Sequence, residues 1–187
     1  MTPWEQWPQL WKSEAAWLSY VRGGIRKGLW NRYGPKLEFL KSRLELRDNP
    51  NPKSKKRFPK VKMGQCEECE EWFSQKDLEC DHIAGHNSMR SPEEIGTFVQ
   101  AMLWECSLDD YALLCKTCHK CKSYADAQGI SLERARAEKT AIRLQKNHQD
   151  KQWLIDMGYE PEKNSKLRRE QIVNIIKEKE GWVDGKT

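Results

Sequence analysis

Apolar residues recur at helical spacing along much of the chain. Ser13 can cap a helix that continues through Lys27, because Trp17, Val21 and Ile25 follow one another at four-residue intervals. Similar spacing and capping signals predict further helices near residues 36–46, from residue 92 onward, and at 131–147, 152–157 and 165–180.

Between these helices the chain changes its pattern. Leu78–Ile83 is a short, apolar-flanked run that predicts a strand, and Tyr111–Leu114 is a second apolar run. Residues 48–60 combine three prolines with a run of Lys and Arg, which predicts an extended linker without regular structure. We therefore expect an α+β protein with a small mixed centre and helical, basic flanks.

The composition narrows the class of protein. Hydrophobic residues make up 37% of the 187 residues and charged residues 33%, which is too polar for one large core. Five of the nine tryptophans lie within the first 30 residues, where we expect packing anchors more than stacking platforms. No apolar run is long enough for a membrane span, and the N-terminus does not resemble a signal peptide. These features predict a cytoplasmic protein without a membrane partner.

Charge is unevenly distributed along the chain. Residues 1–62 hold 15 Lys and Arg against 5 Asp and Glu, residues 63–126 hold 5 against 13, and residues 127–187 hold 13 against 10. Basic arms around an acidic centre favour a polyanionic partner, although a plain solvated surface is the alternative interpretation. The cations that we name as candidate contacts are Arg22, Arg26, Lys55, Lys56, Arg57, Lys122, Arg136, Lys139 and Arg143.

Four of the seven cysteines form two Cys-x-x-Cys pairs. Cys66 and Cys69 make the first pair and Cys115 and Cys118 the second, about 45 residues further on. Two such pairs are typical of a tetrahedral structural zinc site, which would join distant parts of a small domain. Cys121 is a competing ligand, because it follows Cys118 by three residues. We nevertheless expect small hydrophobic roles for the remaining cysteines, Cys80, Cys106 and Cys121.

The segment that holds these pairs also holds an ordered set of acidic residues and histidines. Asp81-His82 lies on the predicted strand, and His119 directly follows the second cysteine pair in Cys-x-x-Cys-His-x-x-Lys-Ser. Over residues 66–123 the chain resembles the HNH nuclease family. Where that family usually has an asparagine, nine residues before the final histidine, this chain has Asp110. The Trp- and Arg-rich N-terminal helix adds a narrower resemblance to phage-encoded, freestanding homing endonucleases.

The resemblance implies a ββα-metal fold and a role for each matching residue. His82 is expected to be the general base, and Asp81 and His119 are expected to hold one Mg²⁺ or Mn²⁺ ion. Asp110 could orient His82, reach the metal, or have no role. His86 lies four residues after His82 and is more typical of loop surface than of a second imidazole in the site.

The predicted function is metal-dependent nicking or double-strand cutting of double-stranded DNA by a phage-type homing endonuclease, in the cytoplasm of a bacterial host if the protein is phage-encoded. The sequence does not define the oligomeric state, and a monomer is favoured. The alternatives are a phage HNH nickase for DNA packaging or host-DNA degradation, and a non-catalytic, zinc-dependent DNA-binding protein. Four segments follow from this interpretation. They are a helical, DNA-contacting region (1–47), a basic linker (48–62), the nuclease core with its zinc site (63–127) and a helical C-terminal region that is a candidate DNA-binding module (128–187).

Overall fold

The computed structural model of the protein describes residues 1–84, 89–104 and 107–182. It is a mixed α+β fold, as predicted, and it divides into two compact units, Met1–Lys116 and the chain from Thr117 onward. The elements of the first unit are α1 (Pro3–Gln6), α2 (Glu14–Gly28), α3 (Gly34–Arg43), β1 (Glu45–Asp48), α4 (Pro52–Lys55), β2 (Lys60–Gln65), β3 (Trp72–Ser74), β4 (Leu78–His82), α5 (Ile95–Leu103) and β5 (Tyr111–Cys115). They are followed by α6 (Lys116–Gln128), α7 (Leu132–Lys146), α8 (Asp150–Asp156) and α9 (Ser165–Glu180).

Helix α2 begins where the sequence predicts. The Ser13 hydroxyl accepts a hydrogen bond from the backbone N–H of Ala16 at 3.3 Å, so it satisfies one of the free donors of the first turn. The helix continues through its Gly-Gly pair to Gly28. Leu18 on α2 is buried in a cluster with Met89 and with Phe98 and Met102 of α5, so α5 serves the core of this unit.

The structure differs from the sequence-based expectation at residues 36–60. The predicted helix ends at Arg43, because residues 45–48 form β1 and pair antiparallel with β2. Residues 48–60 are therefore not an extended linker. The buried Asn49 side chain stabilises the connection between β1 and β2. Its amide donates hydrogen bonds to the Ser54 hydroxyl at 3.0 Å and to the Phe58 carbonyl at 2.8 Å. β2 in turn pairs with β3, which gives a three-stranded antiparallel sheet.

β4 and β5 form a separate antiparallel hairpin in which Leu78 lies opposite Cys115 and His82 lies opposite Tyr111. One face of this hairpin packs against β2. A Cβ atom added at Gly64 would lie 2.6 Å from a methyl carbon of Leu113, so a larger residue here would force the Leu113 side chain or the strand to move. The hairpin places the predicted strand and the apolar run at 111–114 side by side.

The second unit is built from helices. Ser131 caps α7 by accepting the backbone N–H of Arg134 at 3.2 Å, as predicted. The buried face of α7 contains several alanines, and these small residues let α9 pack closely. The buried core of this unit consists of Ala137, Ala141, Leu144, Leu154, Ile172, Val173 and Ile175. Within the part of the chain that the structure describes, none of the helices has the length and apolar character of a membrane span.

Candidate metal centre and hairpin site

The four cysteines of the two predicted pairs come together. The Sγ atoms of Cys66, Cys69, Cys115 and Cys118 all lie within 4.8 Å of one another. A tetrahedral zinc ion with bonds of about 2.3 Å holds its sulfur atoms about 3.8 Å apart, so this cluster needs only a small inward movement to bind the ion. A cluster of four cysteines that can hold a zinc ion is therefore present, as the spacing predicts.

Backbone groups make one of these sulfurs suitable for metal binding. Burial raises the pKa of the Cys66 thiol, but hydrogen bonds from backbone N–H groups outweigh this effect and lower the pKa overall. One donor is the N–H of Cys115, 3.2 Å from the Cys66 Sγ atom. Such donors stabilise a thiolate, which is the form that binds zinc.

The remaining cysteines lie in other surroundings. Cys121 is buried on α6. Burial raises the pKa of the Cys80 thiol to about 12, which keeps this side chain protonated at neutral pH. Both observations agree with small hydrophobic roles. Cys106 and His86 lie outside the described residues.

Asp81 and His82 occupy the end of β4, as the sequence predicts. Because side chains alternate along a strand, the two residues lie on opposite faces of the hairpin. The next residue, Ile83, donates its backbone N–H to the carbonyl of Asp110 at 2.8 Å. This hydrogen bond joins the end of β4 to the loop that precedes β5.

The imidazole of His82 is enclosed by aromatic rings. Its ring centroid lies 4.6 Å from that of Trp30 in a stacked arrangement and 5.0 Å from that of Tyr111, which meets it edge-on. Only 6% of His82 is exposed. Trp30, from the N-terminal region, thus lies against one face of His82. The sequence did not predict this contact, because Trp30 lies outside the helical pattern.

The Asp110 carboxylate caps its own turn. One oxygen accepts hydrogen bonds from the backbone N–H of Ser107 at 2.6 Å and from its hydroxyl at 2.8 Å. These bonds, with a smaller effect from the charge of His82, lower the pKa of Asp110, so the carboxylate is ionised at neutral pH. Asp110 is therefore an anion whose charge acts on His82. Whether it also orients His82, as we considered from the sequence, stays a prediction.

His119 directly follows Cys118 on α6 and is half-buried. Lys122, one turn further along the same helix, has its Nζ atom 3.9 Å from a carboxylate oxygen of Asp126. The roles predicted for His119 and Lys122 stay predictions.

The candidate DNA contacts in the first unit differ in their freedom to reach a ligand. Arg22 is directed inward, since its guanidinium donates to the Met89 carbonyl at 2.6 Å. Arg26 is exposed near the end of α2. Lys55, Lys56 and Arg57 are exposed in the connection between β1 and β2. The structure thus favours these four exposed cations over Arg22 for contacts with an anionic partner.

Three of the candidate cations, Arg136, Lys139 and Arg143, lie on α7 in the second unit. Arg143 is exposed and Arg136 is half-buried. The Nζ atom of Lys139 lies 4.2 Å from the centre of the Tyr124 ring, a cation–π contact that fixes its position.

No family model, curated protein or solved structure matches this chain.

Proposed function

We propose that this chain is an HNH-type, metal-dependent endonuclease that hydrolyses phosphodiester bonds of double-stranded DNA. One observation carries the proposal. The β4–β5 hairpin bears Asp81-His82 at its end and leads directly into α6, which bears His119. One pair of the clustered cysteines precedes the hairpin, and the other spans the end of β5 and the first turn of α6. This is the order of strand, strand and helix, with its acidic residue and histidines, that the HNH resemblance implies.

In this mechanism His82 accepts a proton from a water molecule at neutral pH. The resulting hydroxide attacks the phosphorus atom, the bond from phosphorus to the 3′-oxygen breaks, and the oxygen leaves with the electron pair and takes up a proton. The products are a 5′-phosphate and a 3′-hydroxyl. The hydrogen bond between Ile83 and Asp110 supports this role, because it fixes the backbone beside the histidine.

Asp81 and His119 would hold the catalytic ion. A carboxylate oxygen and an imidazole nitrogen suit Mn²⁺ well, and Mg²⁺ less well because it prefers oxygen ligands. When bound, the ion supplies polarisation of the scissile phosphate and stabilisation of the leaving oxygen.

The four cysteines would hold a structural zinc ion, separate from the catalytic one. Four thiolates complete a tetrahedral shell and leave no open position for water or substrate. Cys66 and Cys115 are far apart in the sequence, and β4 lies between them along the chain. The ion would therefore hold the two Cys-x-x-Cys pairs together.

The basic segments would supply affinity for the DNA backbone. Arg26, the cations at 55–57 and those of α7 can contact phosphates, which predicts binding that weakens steeply with salt. A homing role, with a defined target site, and a nickase role in packaging or host-DNA degradation both fit this chemistry.

A second candidate is a zinc-dependent DNA-binding protein without catalysis. The observation that favours it is the enclosure of His82, which is only 6% exposed and lies beneath Trp30. A base that water cannot reach would be inactive, whereas the zinc cluster and the cations would still support binding.

The test is incubation of the purified protein with supercoiled plasmid in Mg²⁺, in Mn²⁺ and in EDTA. We expect conversion to nicked or linear DNA that stops in EDTA, resumes with Mn²⁺ and leaves ligatable 5′-phosphate ends. Zinc content is measured in each sample, because EDTA can also remove the structural ion. Genomic DNA of varied sequence is tested beside the plasmid, because a nuclease with a defined target site would leave a plasmid without that site intact. Salt-sensitive binding to both substrates without cleavage of either in any divalent metal would refute the nuclease and support the second candidate.

A further inference from the structure

Trp30 makes the stacked contact with the residue that we propose as general base. The two ring planes are inclined by 30° with centroids 4.6 Å apart, within the range of an offset stack. Tyr111 meets the same imidazole edge-on at 70°. The Trp30 ring therefore restricts movement of the imidazole on one face, and the Tyr111 ring restricts it in a second direction.

Trp30 is itself held by its neighbours. It begins a short helical turn, Trp30–Arg32, that connects α2 to α3. The Tyr33 ring stacks beside it at 6.2 Å, and the Nζ atom of Lys36 lies 4.7 Å from its centre. The Tyr33 hydroxyl donates to the Leu103 carbonyl, which ties this turn to the end of α5. These contacts hold the indole of Trp30 in place beside His82.

A general base is effective only when its nitrogen is aligned with the water that it deprotonates. A displacement of about 1 Å can reduce a rate by about 100-fold. A histidine side chain rotates about two bonds, and a flat ring stacked on its face restricts that rotation. The aromatic face also favours the imidazolium that forms when His82 takes up the proton.

We infer that Trp30 is a positioning residue for His82, so that the N-terminal region completes the reaction site as well as binding DNA. The inference rests on the proposed function, in which His82 accepts a proton from water.

Trp17 provides a matched control within the same unit. Both tryptophans are partly buried and pack against the cluster of Leu18, Met89, Phe98 and Met102. The ring partner of Trp17 is Trp4, at 5.7 Å, rather than a residue of the hairpin. Loss of either indole removes comparable packing, but only Trp30 stacks on His82.

The experiment compares Trp30→Leu, Trp30→Phe and Trp17→Leu with the wild type in single-turnover plasmid cleavage at saturating protein. We expect Trp30→Leu to lower the cleavage rate about 10- to 100-fold while DNA affinity changes less than about threefold. Trp30→Phe keeps a flat ring and should restore most of the rate. Trp17→Leu should lower the melting temperature but keep the rate within about threefold.

The ring protons of His82 provide a measurement that does not depend on activity. Stacking on an indole shifts their NMR signals upfield, and the shift should be lost in Trp30→Leu but kept in Trp17→Leu.

An active wild type with Trp30→Leu at an equal rate would overturn the inference and leave the nuclease in place. A faster Trp30→Leu would overturn it as well and would identify Trp30 as a cover over the base. An inactive wild type would refute the proposed function, and the role of Trp30 would fall with it.

Discussion

An ion pair between Asp150 and Arg168 stabilises the helical second unit, and its removal gives a quantitative prediction. The Nε atom of Arg168 lies 2.7 Å from a carboxylate oxygen of Asp150, with side-chain exposures of 11% and 9%. The same guanidinium also donates to the carbonyls of Glu162 and Lys163 at 3.0 Å. The pair therefore joins the start of α8 to α9 and to the loop between them.

Neutralisation of one partner should cost much of the stability of this unit. Removing one member of a buried pair typically costs about 3–5 kcal/mol, because the other charge stays buried without compensation. For Asp150→Asn we expect about 3 kcal/mol, at the low end, since Arg168 keeps its two carbonyl partners. Arg168→Met should be similar, and the double variant should cost less than the sum of the two.

The pH dependence has a definite sign. Burial raises the pKa of Asp150, but the hydrogen bond and charge of Arg168 outweigh it and lower the pKa below its ordinary value. A lowered pKa in the folded state means that the stabilisation is present above the pKa of the unfolded chain, about 3.9, and is lost as the pH falls through the folded value. The difference between wild type and Asp150→Asn should therefore be full at neutral pH and shrink below about pH 4.

Urea unfolding followed by circular dichroism measures this difference at several pH values. We expect the helical transition of Asp150→Asn to move to lower urea at neutral pH and to approach that of the wild type in acid. A variant that unfolds at the wild-type urea concentration at neutral pH would refute the reasoning about the buried pair.

Three further predictions follow from single positions. Purified protein should contain one zinc ion per chain by elemental analysis, and Cys66→Ser should lose it whereas Cys80→Ser should keep it; equal zinc in both variants would contradict the assignment. Gly64→Ala should lower the free energy of unfolding by about 1–3 kcal/mol, because its Cβ would lie 2.6 Å from a Leu113 methyl carbon, and an unchanged melting temperature would show that the strand can shift. His148 has a φ of 55° at the end of α7, so His148→Gly should raise the free energy of unfolding by about 0.5–1 kcal/mol in chemical denaturation, and a loss of stability would count against backbone strain there.

The features that the sequence predicts well are those set by local chemistry. Ser13 caps α2 through one side-chain oxygen, and the helix follows from four-residue spacing. Each Cys-x-x-Cys pair is recognisable from its own spacing, and two such pairs predict a shared metal site even though the fold must bring them together. The short, apolar-flanked run at 78–82 likewise predicts its strand without reference to distant residues.

Features that depend on distant partners could not be predicted. The proline-rich segment at 48–60 is closed by the buried Asn49 amide, which finds its acceptors only once β1 and β2 pair. The apolar face of α7 consists mostly of alanines, whose burial depends on α9 more than 20 residues away. Trp30 and His82 are 52 positions apart in the sequence, and a contact over that distance leaves no periodic pattern.

The most direct test of the central claim compares His82→Ala with His148→Asn in metal-dependent plasmid cleavage. His148 is an exposed histidine on the second unit, and asparagine tolerates its backbone conformation, so this variant controls for the loss of an imidazole. Both variants should bind DNA and zinc like the wild type. We predict that His82→Ala loses cleavage by about 100-fold or more while His148→Asn keeps it. A fully active His82→Ala protein would contradict the mechanism.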